Sequence, residues 1–164
     1  MRILYRKNLL IMAKNSVGTN LFRNFFMDTT GLKQLDGTPY PAGETDIAEN
    51  GRNSCAKFIS SLLVLNELIS HIHTLVPSTE KDMIASGWYK INQPKAGAII
   101  VWSSLKGNDG QDHTHIGICT DGGLAISNDS RGIGVPIQHR IDCQGSTEGG
   151  RPIESIYWHD KLNN

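Results

Sequence analysis

His115-Ile-Gly-Ile-Cys-Thr-Asp-Gly-Gly-Leu-Ala-Ile-Ser-Asn128 reads as two short apolar strands on either side of a turn. Strand alternation puts His115, Gly117 and Cys119 on one face and Ile116 and Ile118 on the other. Asp121-Gly122 is a favoured two-residue hairpin loop. That loop pairs Thr120 with Gly123 and Cys119 with Leu124, and it sets His115 opposite Asn128, with Ser127 turned to the other side. Directly opposed side chains stand roughly 5 Å apart at Cβ, so Asn128 falls within reach of the imidazole. A loop one residue longer puts Asp129 there instead.

Outward from this hairpin, Ala98 to Trp102 and Ile153 to Trp158 also read as strands, and Lys106 to Asp112 as a loop. Upstream the period changes. From Ser54 to about His71, Cys55, Phe58, Ile59, Leu62, Leu65 and Ile69 recur at spacings of three and four, which predicts a mostly buried helix. Asn53 or Ser54 caps it and leaves Cys55 in its first turn. A second helix is expected from a cap at Ser78 or Thr79 to Ser86, and a short one around Leu21 to Met27. Asp36 to Gly43 is turn-rich. Helices first and strands afterwards indicate an α+β domain with a mostly antiparallel sheet.

The chain has 164 residues, with 16 basic and 16 acidic side chains and zero net charge. That length suits one domain, assigned to residues 14–164, with residues 1–13 as an N-terminal extension. Met12-Ala13-Lys14 resembles a second start, which leaves open whether residues 1–11 are native. No basic stripe with interleaved aromatics argues for nucleic acid as a partner. The apolar runs Leu9 to Met12 and Ile59 to Leu65 are too short to span a bilayer. Arg6-Lys7-Asn8 interrupts the first apolar stretch and no small-residue cleavage site follows, so the N-terminus is a poor signal peptide. Both a cytoplasmic location and a non-classical export route stay open, as does the oligomeric state. Cys55, Cys119 and Cys143 are an odd, widely spaced set, which fits free thiols rather than a disulfide framework.

The chemistry is concentrated at Cys55 and His115. A helix N-terminus favours a thiolate, the nucleophilic form of cysteine. An imidazole can take its proton and later return it to a leaving amine. In this order along the chain, Ser54-Cys55-Ala-Lys-Phe58, Pro94-Lys-Ala-Gly-Ala-Ile-Ile-Val-Trp102, His115-Ile-Gly-Ile118 and Ala125-Ile-Ser-Asn128 resemble bacterial cell-wall cysteine peptidases and amidases of the NlpC-like and CHAP type, within the papain-like superfamily. The resemblance spans roughly residues 50–130. It departs from the family at Ser54, where an Asp is usual, in a turn that lacks its Asp, and in a third position that is not a histidine. It implies a papain-like fold and hydrolysis of amide bonds in peptidoglycan peptides or another peptide substrate, with no cofactor. Cys55 is then nucleophile, His115 base, and Asn128 the orienting residue, with Asp129 and Ser127 as alternatives. The second oxyanion donor, beside the Cys55 N–H, is Tyr40 or Asn53. Two other readings stand beside this one: a noncatalytic binding or immunity-like module, and a zinc hydrolase using His113, His115 and Cys119, with Cys143 as another thiol to complete the site.

Overall fold

Ile99, Val101, Ile116, Ile118 and Ile126 are all buried, at most 1% exposed. Strand pairing puts the five on one face of a six-stranded antiparallel sheet. The computed structural model describes residues 2–34, 37–106, 112–147 and 149–164. Helix α1 (Tyr5–Ser16) is followed by a small two-stranded sheet, β1 (Phe26–Asp28) with β2 (Glu44–Asp46). Then come α2 (Cys55–Leu65) and α3 (Val76–Ala85). The main sheet is built from β3 (Tyr89–Lys90), β4 (Ile99–Lys106), β5 (Asp112–Cys119), β6 (Leu124–Asn128), β7 (Pro136–Arg140) and β8 (Ile153–Trp158). Its strand order is β3-β8-β4-β5-β6-β7. The α+β expectation with an antiparallel sheet holds.

The isoleucine face also carries Ser155 and Tyr157 of β8. The Tyr157 hydroxyl donates to Glu80 of α3 at 2.8 Å, so α3 lies on that side. The opposite face presents Trp102, His115, Gly117, Ser127 and His139. Here Trp102 packs closely against Gly117: a Cβ on that glycine would fall 2.8 Å from two ring atoms of Trp102. The Trp102 indole N–H donates to the Ile141 carbonyl at 2.7 Å. Arg151 donates to the Ser103 and His113 carbonyls.

Several elements differ from their sequence expectation. The helix read as far as His71 stops at Leu65, because Glu67 turns left-handed (φ 54°) and the Leu68 amide closes back on the Leu63 carbonyl. Helix α3 starts at Val76, ahead of Ser78, with Leu75 extended before it and a proline in its first turn, where no amide proton is needed. The helix expected around Leu21 to Met27 is a turn leading into β1. Within the N-terminal extension expected at residues 1–13, α1 begins at Tyr5, and both Leu9 and Ala13 are wholly buried in the core, so this helix packs as part of the domain. β4 and β5 run on into the expected loop at Lys106 and Asp112. Residues 107–111 of that loop, and Asp36 of the turn-rich stretch, lie outside the described residues.

Candidate active site

The β5–β6 turn decides which side chains meet. Asp121–Gly123 forms a three-residue turn with Gly122 left-handed (φ 73°), and the Thr120 amide donates to the Leu124 carbonyl. Cys119 therefore pairs with Ala125, and Gly117 with Ser127. This is one residue out of the register that a two-residue loop would set. A glycine pair after Asp121 extends the loop because Gly123 (φ 73°) is also left-handed. The slip exchanges faces for every β6 side chain. Ser127 now shares the face of His115, and Asn128 points to the other side.

The contacts follow that exchange. His115 Nε2 lies 2.8 Å from Ser127 Oγ. Ser127 Oγ lies 2.8 Å from His139 Nε2, and His139 Nδ1 lies 2.7 Å from the Arg140 carbonyl oxygen. Trp102 packs on both imidazoles, with ring centroids 5.4 Å from His115 and 5.7 Å from His139. His115 is only 2% exposed. Burial drives its pKa well below the ordinary histidine value, and positive charge at Arg151 and Arg131, and at His139 when that ring is protonated, drives it the same way. A neutral imidazole at neutral pH is the form that can accept a proton.

Asn128 is not the imidazole's partner. Its side-chain amide donates to the Gly51 carbonyl at 2.6 Å, and its other terminal atom, Oδ1, is buried with no partner among the described residues. Gly51 belongs to an unusual run: Glu49 (φ 50°), Asn50 (φ 54°) and Gly51 (φ 95°) are all left-handed. Gly51 packs directly on the backbone of Gly134, and a Cβ on either would collide with the other loop. The sequence carried a trace of this in the Asn50-Gly51 dipeptide, an ordinary turn signal. What it could not show is that the turn is clamped by Asn128 from the far end of β6.

Cys55 is the first residue of α2, half-buried, and in contact with the hydrophobic core. Ser54 precedes it as N-cap without a side-chain capping bond, and its hydroxyl is buried with no partner among the described residues. The first-turn amides of any helix lack intrahelical acceptors, so this end carries partial positive charge. Beside the turn that leads to Cys55 is an open cleft of about 830 Å³, lined by Arg23, Asp46, Glu49, Asn50, Arg52, Gly132 and Ile133.

The other candidates are placed as follows. Asp129 accepts from Thr147 and from the Ile133 amide, which ties together the loop after β6. The Tyr40 amide donates to the Leu32 carbonyl, and the Asn53 amide to Ala48. Cys119 is buried, with its thiol pushed up to about 11 by burial and by Asp121. Among the described residues no group of three or more His, Cys, Asp or Glu side chains is placed to hold a metal, so His113, His115 and Cys119 do not form the zinc set. His71 and His73, beyond the end of α2, face Asp82 of α3. No helix among the described residues is long and apolar enough to cross a membrane. Sequence reasoning ranked Ser127 behind Asn128 and missed His139 altogether. The only signal for His139 was its place on a β7 strand that was itself not anticipated.

No family model, no curated protein and no solved structure matches the chain.

Proposed function

We propose that the chain is a papain-like cysteine hydrolase that cleaves amide bonds, with bacterial cell-wall peptides as the substrate class suggested by the motif resemblance. Cys55 is the nucleophile, and His115 accepts its proton and returns it to the leaving amine. Ser127, rather than Asn128, holds the far nitrogen of the imidazole. The supporting observation is the bond from His115 Nε2 to Ser127, which leaves Nδ1 as the working nitrogen of a histidine kept neutral by burial. The charged cleft beside the Cys55 turn, with Arg23 and Arg52 near Asp46 and Glu49, suits a peptide bearing both carboxylate and amine groups.

The reading requires the Cys55 sulfur to meet Nδ1 around the end of β6, because Asn128 anchors the Cys55 turn from the face opposite His115. Two assays test it. Purified protein should release new amines from digested peptidoglycan, and Cys55→Ala should abolish the release. Alkylation of Cys55 near neutral pH should slow at least tenfold in His115→Ala, since the thiol loses its base. Hydrolysis that survives Cys55→Ala removes the mechanism. Alkylation indifferent to His115→Ala favours the noncatalytic module.

A further inference from the structure

The relay beyond His115 has a direction, and it is set at its far end. A carbonyl oxygen can only accept, so His139 Nδ1 must donate to the Arg140 carbonyl, 2.7 Å away. In its neutral form His139 carries one N–H, so its Nε2 is then an acceptor. The Ser127 hydroxyl, 2.8 Å away, has a single proton and gives it to that nitrogen. Ser127 Oγ is left with lone pairs only for its second neighbour, so His115 Nε2 must be the donor at 2.8 Å. All three side chains are closed in, with exposures of 7% for His139, 0% for Ser127 and 2% for His115, so bulk water does not compete along the chain of bonds.

We propose that His139 is a positioning residue which, through Ser127, fixes His115 in the tautomer protonated at Nε2 and bare at Nδ1. A serine alone would not do this, because a hydroxyl between two groups donates to either. His139 consumes the hydroxyl proton, and the other bond has one polarity left. The pair thereby replaces the single polar third residue of other cysteine hydrolases, whose role is to hold the imidazole in one tautomer. The inference rests on the hydrolase reading for its purpose but not for its geometry.

Nitrogen-15 NMR of the imidazoles near pH 7.5 reads the tautomer directly. In the unmodified protein His115 should show a protonated Nε2 and an unprotonated Nδ1. His139→Phe removes the acceptor, and His115 should then report a mixture of tautomers. His139→Gln keeps an acceptor near the Nε2 position and should restore most of the original pattern. Ser127→Ala reads the same relay if His139→Phe does not fold. In the hydrolysis assay His139→Phe should lower kcat roughly tenfold or more with KM within twofold, and His139→Gln should recover most of it. A His115 spectrum unchanged in both His139→Phe and Ser127→Ala overturns the relay, even if Cys55-dependent hydrolysis is found. A spectrum that shifts as expected in a protein with no Cys55-dependent hydrolysis upholds the relay and defeats the hydrolase reading instead.

Discussion

Ser127 and Asn128 are neighbours on β6 that face opposite ways, one bonded to His115 and the other to the Gly51 carbonyl ahead of Cys55. A single strand thus braces both the imidazole and the turn that delivers the thiol. Damage to either residue should have a distinct signature.

Ser127→Ala should leave the fold intact and impair the chemistry. The hydroxyl bridges two buried imidazoles, and its loss leaves both nitrogens short of a partner, at about 1–3 kcal/mol of stability. Activity should fall about 10- to 100-fold, mainly in kcat. Steady-state kinetics with a released-amine assay provides the check, and wild-type kcat in this variant would remove Ser127 from the mechanism.

Asn128→Ala acts on the Cys55 turn. The Gly51 carbonyl loses a buried donor, which costs roughly 1–3 kcal/mol. Hydrogen exchange should accelerate at residues 49–54 more than at β5. A uniform rise across the sheet would mean the amide supports the fold as a whole and not the turn.

Alkylation should separate the three thiols. Cys55 is half-buried at a helix N-terminus, Cys143 is fully buried, and the Cys119 thiol is pushed up to about 11. Brief iodoacetamide treatment of the native protein, read by peptide mass spectrometry, should mark Cys55 first. Earlier modification of Cys119 or Cys143 would contradict this order.

Acid should destabilise the fold through His115. Its folded-state pKa lies below the ordinary value of 6.5, so below that pH the unfolded chain binds a proton that the native one refuses. Stability from this group is complete above about pH 6.5 and falls as pH drops toward the lowered value, by at most about 1.4 kcal/mol per pH unit. Denaturant titrations at pH 7.5 and 5.5 should therefore differ less in His115→Gln than in the unmodified protein. An identical difference in both would exclude His115 as a source of acid sensitivity.

Gly117→Ala should cost about 1–3 kcal/mol by overpacking against Trp102 and the Ile126 carbonyl. Gly117→Ala combined with Trp102→Phe should recover part of that loss, because the smaller ring frees space. Thermal unfolding of the single and double variants measures it, and additivity would show that the two residues do not share the space.

Much of the main sheet was legible because its strands are apolar runs bounded by glycine and proline, a local signal. Cys55 at the start of α2 was legible for the same reason: a polar, glycine-containing stretch turns abruptly into a helical apolar stripe. The partner of His115 was not. Whether a hairpin loop holds two residues or three depends on whether Gly123 adopts a left-handed conformation, and Asp121-Gly-Gly123 permits either outcome. One residue of slip was enough to turn Asn128 away and bring Ser127 to His115, while Asp129, the residue expected opposite His115 for the longer loop, accepts from Thr147 and the Ile133 amide instead. The packing of α1 was hidden too, because Arg6, Lys7 and Asn8 make its sequence look solvated while Leu9 and Ala13 on the inner side are wholly buried. The Gly51–Gly134 contact joins loops far apart in the chain, and nothing local announces such a meeting.

The relay from His115 ends on the peptide carbonyl of Arg140, a group without a pKa in the working range and without a side chain to replace. Substituting Arg140 changes what projects from β7 but leaves the acceptor in place, as long as the strand keeps its pairing with β6. The polarity of the site is therefore inherited from the sheet itself. Lineages that drift freely at position 140 would keep it, whereas a proline entering β7 would disturb the strand and with it the reference point for the imidazole proton.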